Sequence, residues 1–309
     1  MTLSTLKSLW LLSLKISEED NSFARWKFTL HFFINALKYH KDLVSMLDAA
    51  EGSAMKNLLD NRKEITGVVV WPFICSDWDA PKRTQQVINH CATIDRLGIP
   101  FTYGVKQRVV LLDMNKTMEG LRIIMDEPIW FLREGQLVIN IFFNHFRAYS
   151  LAFSFDTNKD GKIDVIIGAI QGRNTDDILD TYRAFTKAMH GVRPRDFLIE
   201  VSKMVFRQIN VSKILAVSDS SRVHRHSFFG SKAENLLSVN YDEVWQDRGA
   251  TRYDGSFWQL PVESTRKNLA EIKSKKRSLY KKRFALLDEI EADIGEHLKL
   301  AEPTWFQDE

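Results

Sequence analysis

Cysteine is scarce: Cys75 and Cys91 are the two in 309 residues, too few for a disulfide framework to hold the fold. Two free, buried thiols in a reducing compartment are expected. With 14 Gly and 7 Pro, the chain has little material for linkers or repeats, and no repeat or low-complexity segment is found. No stretch approaches the roughly 20 apolar residues of a membrane-spanning helix. The apolar run Leu9–Leu14 follows Lys7 but is broken by Ser13 and Lys15 and leads into Glu18-Glu19-Asp20. It reads as a short amphipathic helix rather than a secretory signal. A one-sided charge is missing too. Lys and Arg number 43 against 40 Asp and Glu, so a net charge of +3 selects no partner. A complete Gly-x-Gly-x-x-Gly, a P-loop and a Gly-x-Ser-x-Gly nucleophile elbow are all absent. A cytoplasmic address is expected, with surface attachment to a membrane compatible with it.

What is present is bulk and pattern. Hydrophobic residues at 44% and charged residues at 27%, with 20 Phe and 8 Trp, suit a globular protein with a sizeable core. Residues 1 to about 66 read as helical. Phe23, Trp26, Leu30, Phe33, Ile34 and Leu37 recur at spacings of 3 and 4, and Leu43, Met46 and Leu47 continue the pattern. A helix from Arg83 to Leu97 is closed by Gly98 and Pro100. From about 105 to 170 short branched and aromatic runs predict strands: 109–112, 129–132, 137–143, 148–155 and 162–170. Their short connections favour antiparallel pairing. Two helices follow. Asn174 or Thr175 caps the first, with Asp176 and Asp177 in its opening turn, and Gly191 and Pro194 separate it from the second. One more strand is expected at 212–217, an extended piece at 257–261, and a long amphipathic helix from about Ser264 to Lys299. The expected class is α+β, divided into a helical region 1–100, a mostly antiparallel core domain 101–262 and a C-terminal helix 263–309 packed on it.

Several polar clusters are candidate sites. Asp156, Asn158, Asp160, Gly161 and Asp164 match the first nine positions of a calcium-binding loop, but Ile167 stands where a bidentate Glu is needed. The flanks read as strands, so a hairpin turn is preferred. Gln171-Gly172-Arg173 sits between strand and helix, as either a structural turn or an anion site. His190, Arg193 and Arg195 join two helices; they are stop and start chemistry or a second set of anion ligands. Asp219, His224 and His226 follow the last core strand, where loops often carry sites. Zinc ligation by this pair is set below anchoring of the loop. In the last helix nine basic residues fall between Arg266 and Arg283, among them Lys275, Lys276, Arg277, Lys281 and Lys282, against Glu271 alone. That order opposes the helix macrodipole. It is either a solvated face or a patch for anionic lipid or an acidic partner.

Taken together, the strings REGQL (133–137), YSLAFSF (149–155), IGAIQGR (167–173), HGVRPRDFL (190–198) and ILAVSDSSRVHRH (214–226), followed by YDEVWQDRG (241–249), DGSFWQLP (254–261) and KSKKRSLYKKRF (273–284), resemble the VirK/YbjX family of Gram-negative bacteria. The resemblance implies an accessory role at the cell envelope: virulence in enteric bacteria, resistance to cationic antimicrobial peptides, and presentation of outer-membrane components. It implies no catalytic residue and no cofactor, and the cofactor stays unknown. Two functions compete. One is a cytoplasmic factor at the inner face of the envelope that binds a client or anionic lipid. The other is a group transferase acting on an envelope precursor, since an antiparallel sheet leading into helix, helix and strand resembles GNAT-like acyltransferases. In that reading His224 or His190 is the base, and Gln171, Arg173, Arg193, Arg195 and Asp219 frame the ligand. The GNAT pyrophosphate loop is absent, because residues 171–176 read QGRNTD. Nucleic-acid binding ranks last, for want of motifs and of a strongly basic total.

Overall fold

The computed structural model describes residues 3–16, 22–102, 104, 106–175, 178–230 and 239–306. Four helices open the chain: α1 (Leu3–Ile16), α2 (Ser22–Lys38), α3 (His40–Leu47) and α4 (Ala54–Asn61). A short 3-10 turn, Lys63–Val69, leads to α5 (Ala80–Leu97). This helix begins three residues before the sequence expectation because Asp79 caps it, its side chain accepting the Lys82 N–H at 2.9 Å. Gly98, at φ +66°, ends it.

Five strands follow as consecutive antiparallel neighbours: β1 (Gln107–Asp113), β2 (Leu121–Asp126), β3 (Leu137–Phe143), β4 (Phe146–Thr157) and β5 (Ile163–Gly172). The β4–β5 turn is built by Asn158, whose Oδ1 accepts the Asp160 and Lys162 N–H groups, and by Gly161 at φ +76°. The calcium-like string is therefore a hairpin turn. Helices α6 (Ile178–Ala188) and α7 (Pro194–Gln208) carry the chain to β6 (Lys213–Val217), which lies parallel to β5. Asp176 and Asp177 lie outside the described residues. After α8 (Tyr241–Asp247) come β7 (Thr251–Arg252) and β8 (Phe257–Leu260), and β8 inserts between β6 and β7. The long helix α9 (Ser274–Leu300) ends at β9 (Thr304–Trp305), which adds beside β1. The sheet runs β7-β8-β6-β5-β4-β3-β2-β1-β9. The fold is α+β, as the strand and helix patterns predict.

Phenylalanines join α7 to the sheet and to α6. Phe206 meets Phe153 at 5.1 Å, and Phe185 meets Phe197 at 5.3 Å, both edge to face. Each such buried ring contributes about 1.5–3 kcal/mol. Two expectations are corrected. Residues 129–132 form no strand: Ile129, Trp130 and Leu132 are exposed, and the run follows Pro128 in a loop across the sheet. The strand is Leu121–Asp126 instead. Helix α9 starts at Ser274, not Ser264, because Asn268 caps a separate 3-10 turn and Arg277 takes the Ile272 and Ala270 carbonyls.

Candidate functional site

The parallel pair β5–β6 is short. Its ladder runs from Asp164–Lys213 to Ile167–Ala216, while β5 continues to Gly172. Where the pairing stops, the β4–β5 register also slips: Ala152 faces Ala169 and Phe153 faces Ile167, which leaves Gly168 as a bulge. Glycine is required there, since a Cβ would lie 1.9 Å from the Glu134 carbonyl oxygen. A Cβ on Gly135 would likewise collide with Phe153, lying 2.6 Å from its nitrogen. Two glycines thus let the 127–136 loop lie directly on the sheet. Beyond the bulge, the Tyr241 hydroxyl at the start of α8 takes the place of a neighbouring strand. It accepts the Ile170 N–H at 2.9 Å and donates to the Ile170 carbonyl at 3.0 Å.

A cavity of about 210 Å³ occupies this parting. Gly168 to Gln171 form one wall, Phe131 and Glu134 another, and Arg222, His224 and Tyr241 a third. Glu134 is 6% exposed. Burial pushes its carboxyl up to about 7, although the Arg133 N–H and the charges of Arg133 and Arg222 oppose that rise. Nδ1 of His224 lies 3.4 Å from Glu134 Oε1, and the His224 ring stacks on Phe229 at 5.0 Å. Desolvation, then Arg222 and Arg133, lower the His224 pKa. Near neutral pH the site therefore holds a neutral imidazole against a carboxyl poised between its two forms. Such a pair can orient one ring nitrogen and leave the other to exchange a proton.

The remaining sequence candidates fall in distinct places. Gln171 is in the cavity wall. Arg173 lies on the same edge under the Trp130 ring, 3.7 Å from its centroid. Asp219 stands behind the site as a scaffold: it accepts the Tyr241 N–H at 3.1 Å and pairs with Arg222 and Arg225. Burial opposes its ionisation, but the Tyr241 N–H and the two arginines outweigh it and hold the carboxyl below the usual range. His226 is engaged separately, its Nδ1 accepting the Phe228 N–H at 3.0 Å. His190 and Arg193 are on the α6–α7 connection and Arg195 is in the first turn of α7, and none of the three lines the cavity. The His190 carbonyl accepts Arg283 of α9, and Arg195 lies 3.5 Å from Asp196. Lys275, Lys276, Arg277, Lys281 and Lys282 are exposed on the first half of α9, and none of them lines the cavity.

The family model described as "Protein of unknown function (DUF535)" matches residues 21–296, nearly the whole chain. The chain belongs to the DUF535 family. Two proteins of Haemophilus influenzae are each 33% identical to it, over 192 and 136 residues, covering 61% and 44% of this chain and the same shares of theirs. YbjX of Escherichia coli K12 is 30% identical over 135 residues, 44% of this chain and 41% of YbjX. The matched segments thus span from two-fifths to three-fifths of these relatives. YbjX is the relative that the sequence strings anticipate. In this DUF535 chain the residues that sequence reasoning missed are Glu134, Arg222 and Tyr241. All three sit inside the strings quoted for the resemblance, and the available signal was glycine: Gly168 interrupts the apolar strand run 165–170, where a close backbone approach is the usual reason for it.

Proposed function

We propose that this chain is a group transferase of the acyl-transfer type. The observation that carries the reading is the buried Glu134 carboxyl set against His224 in a cavity where two parallel strands part. Glu134 faces Nδ1, so Nε2 of the neutral imidazole accepts the proton of an acceptor hydroxyl or amine. The freed oxygen or nitrogen attacks the acyl carbonyl, its new bond replaces the bond to the carrier, and the departing carrier takes the proton back. Gln171 and Arg173 lie along the same edge, where they would meet a polar or anionic carrier. By fold-level analogy, a gap between parallel neighbours in a mixed sheet is the feature most similar to GNAT-like acyltransferases. The QGRNTD string at 171–176 favours a carrier held by something other than a glycine-rich pyrophosphate loop. The wider role that fits the VirK/YbjX resemblance is cytoplasmic, at the inner face of the envelope, modifying a precursor whose presentation or peptide resistance depends on it.

The test is thiol release from a panel of acyl thioesters, with coenzyme A and with short pantetheine carriers, in the presence of amine or hydroxyl acceptors. Wild-type protein is expected to turn over at least one thioester. Glu134→Gln and His224→Ala, with unchanged circular dichroism, should lose about 10²–10⁴-fold. No turnover with any thioester, or turnover equal in both variants, overturns the reading.

A second reading rests on a different observation. Lys275, Lys276, Lys281 and Lys282 are exposed on α9 and form no ion pair among the described residues. They support the docking of an acidic envelope client. Charge reversal at Lys275, Lys276 and Lys282 should abolish client capture; unchanged capture removes this reading.

A further inference from the structure

The N-terminal hairpin carries a surface that neither reading uses. Helices α1 and α2 bury Leu9, Phe32 and Ala36 between themselves and the 3-10 turn before α5. The opposite side of α2 is apolar as well. Trp26, Leu30 and Ile34 are 60%, 54% and 55% exposed, and Leu11 of α1 is 48% exposed. Spacings of 4 and 4 put Trp26, Leu30 and Ile34 on one stripe. Trp10 packs against Trp26, with ring centroids 6.1 Å apart, so the apolar edges of the two helices meet. A helix that turned only one face to a core would be polar here.

Charge accompanies this face. The described residues from Leu3 to Lys41 hold six basic side chains and no acid, and none of the six forms an ion pair among the described residues. On α1, Lys7, Leu11 and Lys15 share an exposed line at i, i+4 and i+8. On α2, Lys27 and Lys38 flank the apolar stripe. The acids of this region, Glu18, Glu19 and Asp20, are confined to the connection between the helices. Neither helix is long and apolar enough to cross a membrane.

We propose that the α1–α2 hairpin docks this protein flat on an anionic lipid surface. Trp26, Leu30, Ile34 and Leu11 enter the interface between headgroups and acyl chains, and Lys7, Lys15, Lys27 and Lys38 neutralise headgroup phosphates around them. Tryptophan beside lysine is the composition of helices that lie in that plane, since the indole is apolar in body and polar at its N–H. A protein partner would satisfy the apolar stripe but leaves the ring of lysines without a role.

The experiment uses the full chain and sedimentation with vesicles of phosphatidylglycerol and phosphatidylcholine, against vesicles of phosphatidylcholine alone. Binding to the anionic vesicles is expected, at least tenfold weaker on neutral ones and reduced by raised salt. The variant Trp26→Gln, Leu30→Gln, Ile34→Gln should lose binding at least tenfold while keeping its melting temperature. Lys27→Gln with Lys38→Gln should weaken binding to anionic vesicles alone. The proposal is overturned if the full chain stays in the supernatant. It is overturned equally if the triple variant binds as well as wild type, if binding is lost on reversing Lys275, Lys276 and Lys282 instead, or if wild type sediments as a dimer that the triple variant dissolves. Thiol release in solution is a separate readout, so the transferase reading stands or falls independently.

Discussion

Two glutamates seven residues apart, both largely withdrawn from solvent, show how a similar shift can arise in two different settings. Glu127 and Glu134 are both pushed up to about 7, in both cases first by burial. Glu127 looks into a void of about 30 Å³, room for a water, and its nearest charge is Arg62 at 3.7 Å. The lining of the void also includes the buried His90 and Cys91 and the exposed Thr102. Burial holds His90 down near 3, and its Nδ1 accepts the Phe155 N–H. Glu134 looks into 210 Å³ and across at His224. A raised carboxyl is therefore not a site by itself; what marks Glu134 as the candidate is room and a histidine 3.4 Å from its carboxyl.

That contrast can be broken or sharpened experimentally. The largest separation is in turnover: Glu134→Gln is expected to lose about 10²–10⁴-fold, whereas Glu127→Gln should stay within about twofold. Equal losses would erase the contrast. Stability against pH comes next, and here the two residues should behave alike. Below about pH 4.5 the folded and unfolded chains both hold the proton, and burial of these carboxyls costs nothing extra. Between 4.5 and 7 the unfolded chain releases it first, so stability falls as pH rises and levels off above 7. Each group accounts for ~3 kcal/mol of that fall. Urea titrations from pH 4 to 8 should find either Gln variant flattened by about half. Gly168→Ala separates the two again. Its Cβ collides with the Glu134 backbone and nothing comparable underlies Glu127, so a loss of ~1–3 kcal/mol by thermal melting should accompany a loss of turnover. The smallest effect is Arg62→Met, which removes the cation lowering Glu127. Carbon-13 shifts should place the Glu127 titration higher by under ~1 unit, with Glu134 unmoved.

The helices and the sheet were legible because periodicity reports burial, and burial is what a helix face or a strand face shares along the sequence. The error at 129–132 has the same root. Ile129, Trp130, Phe131 and Leu132 read as a strand by composition, but Trp130 covers Arg173 and Phe131 roofs the cavity. Two of these apolar side chains thus cover the cavity and Arg173 rather than pairing in a ladder. The site itself was half legible. His224, Gln171 and Arg173 stand out as polar groups after strands, whereas Glu134 and Tyr241 are 107 residues apart and meet across a bulge that no local spacing encodes. Asp219 was noticed for its charge and turns out to be spent on Tyr241 and two arginines. His190 was noticed as a titratable side chain, yet its backbone carbonyl is what Arg283 uses.

The Tyr241 hydroxyl has a further consequence. Strands that part in the middle of a sheet create two internal edges, and an edge with free N–H and C=O groups is a template for any extended polypeptide. Tyr241 engages both backbone groups of Ile170 with one side chain. An extended strand entering the opening therefore finds no free ladder group at Ile170 to join. On the transferase reading proposed above, that phenol also sorts what reaches Glu134 by shape and hydrogen-bonding pattern, and it removes a pairing edge that a neighbouring chain could use.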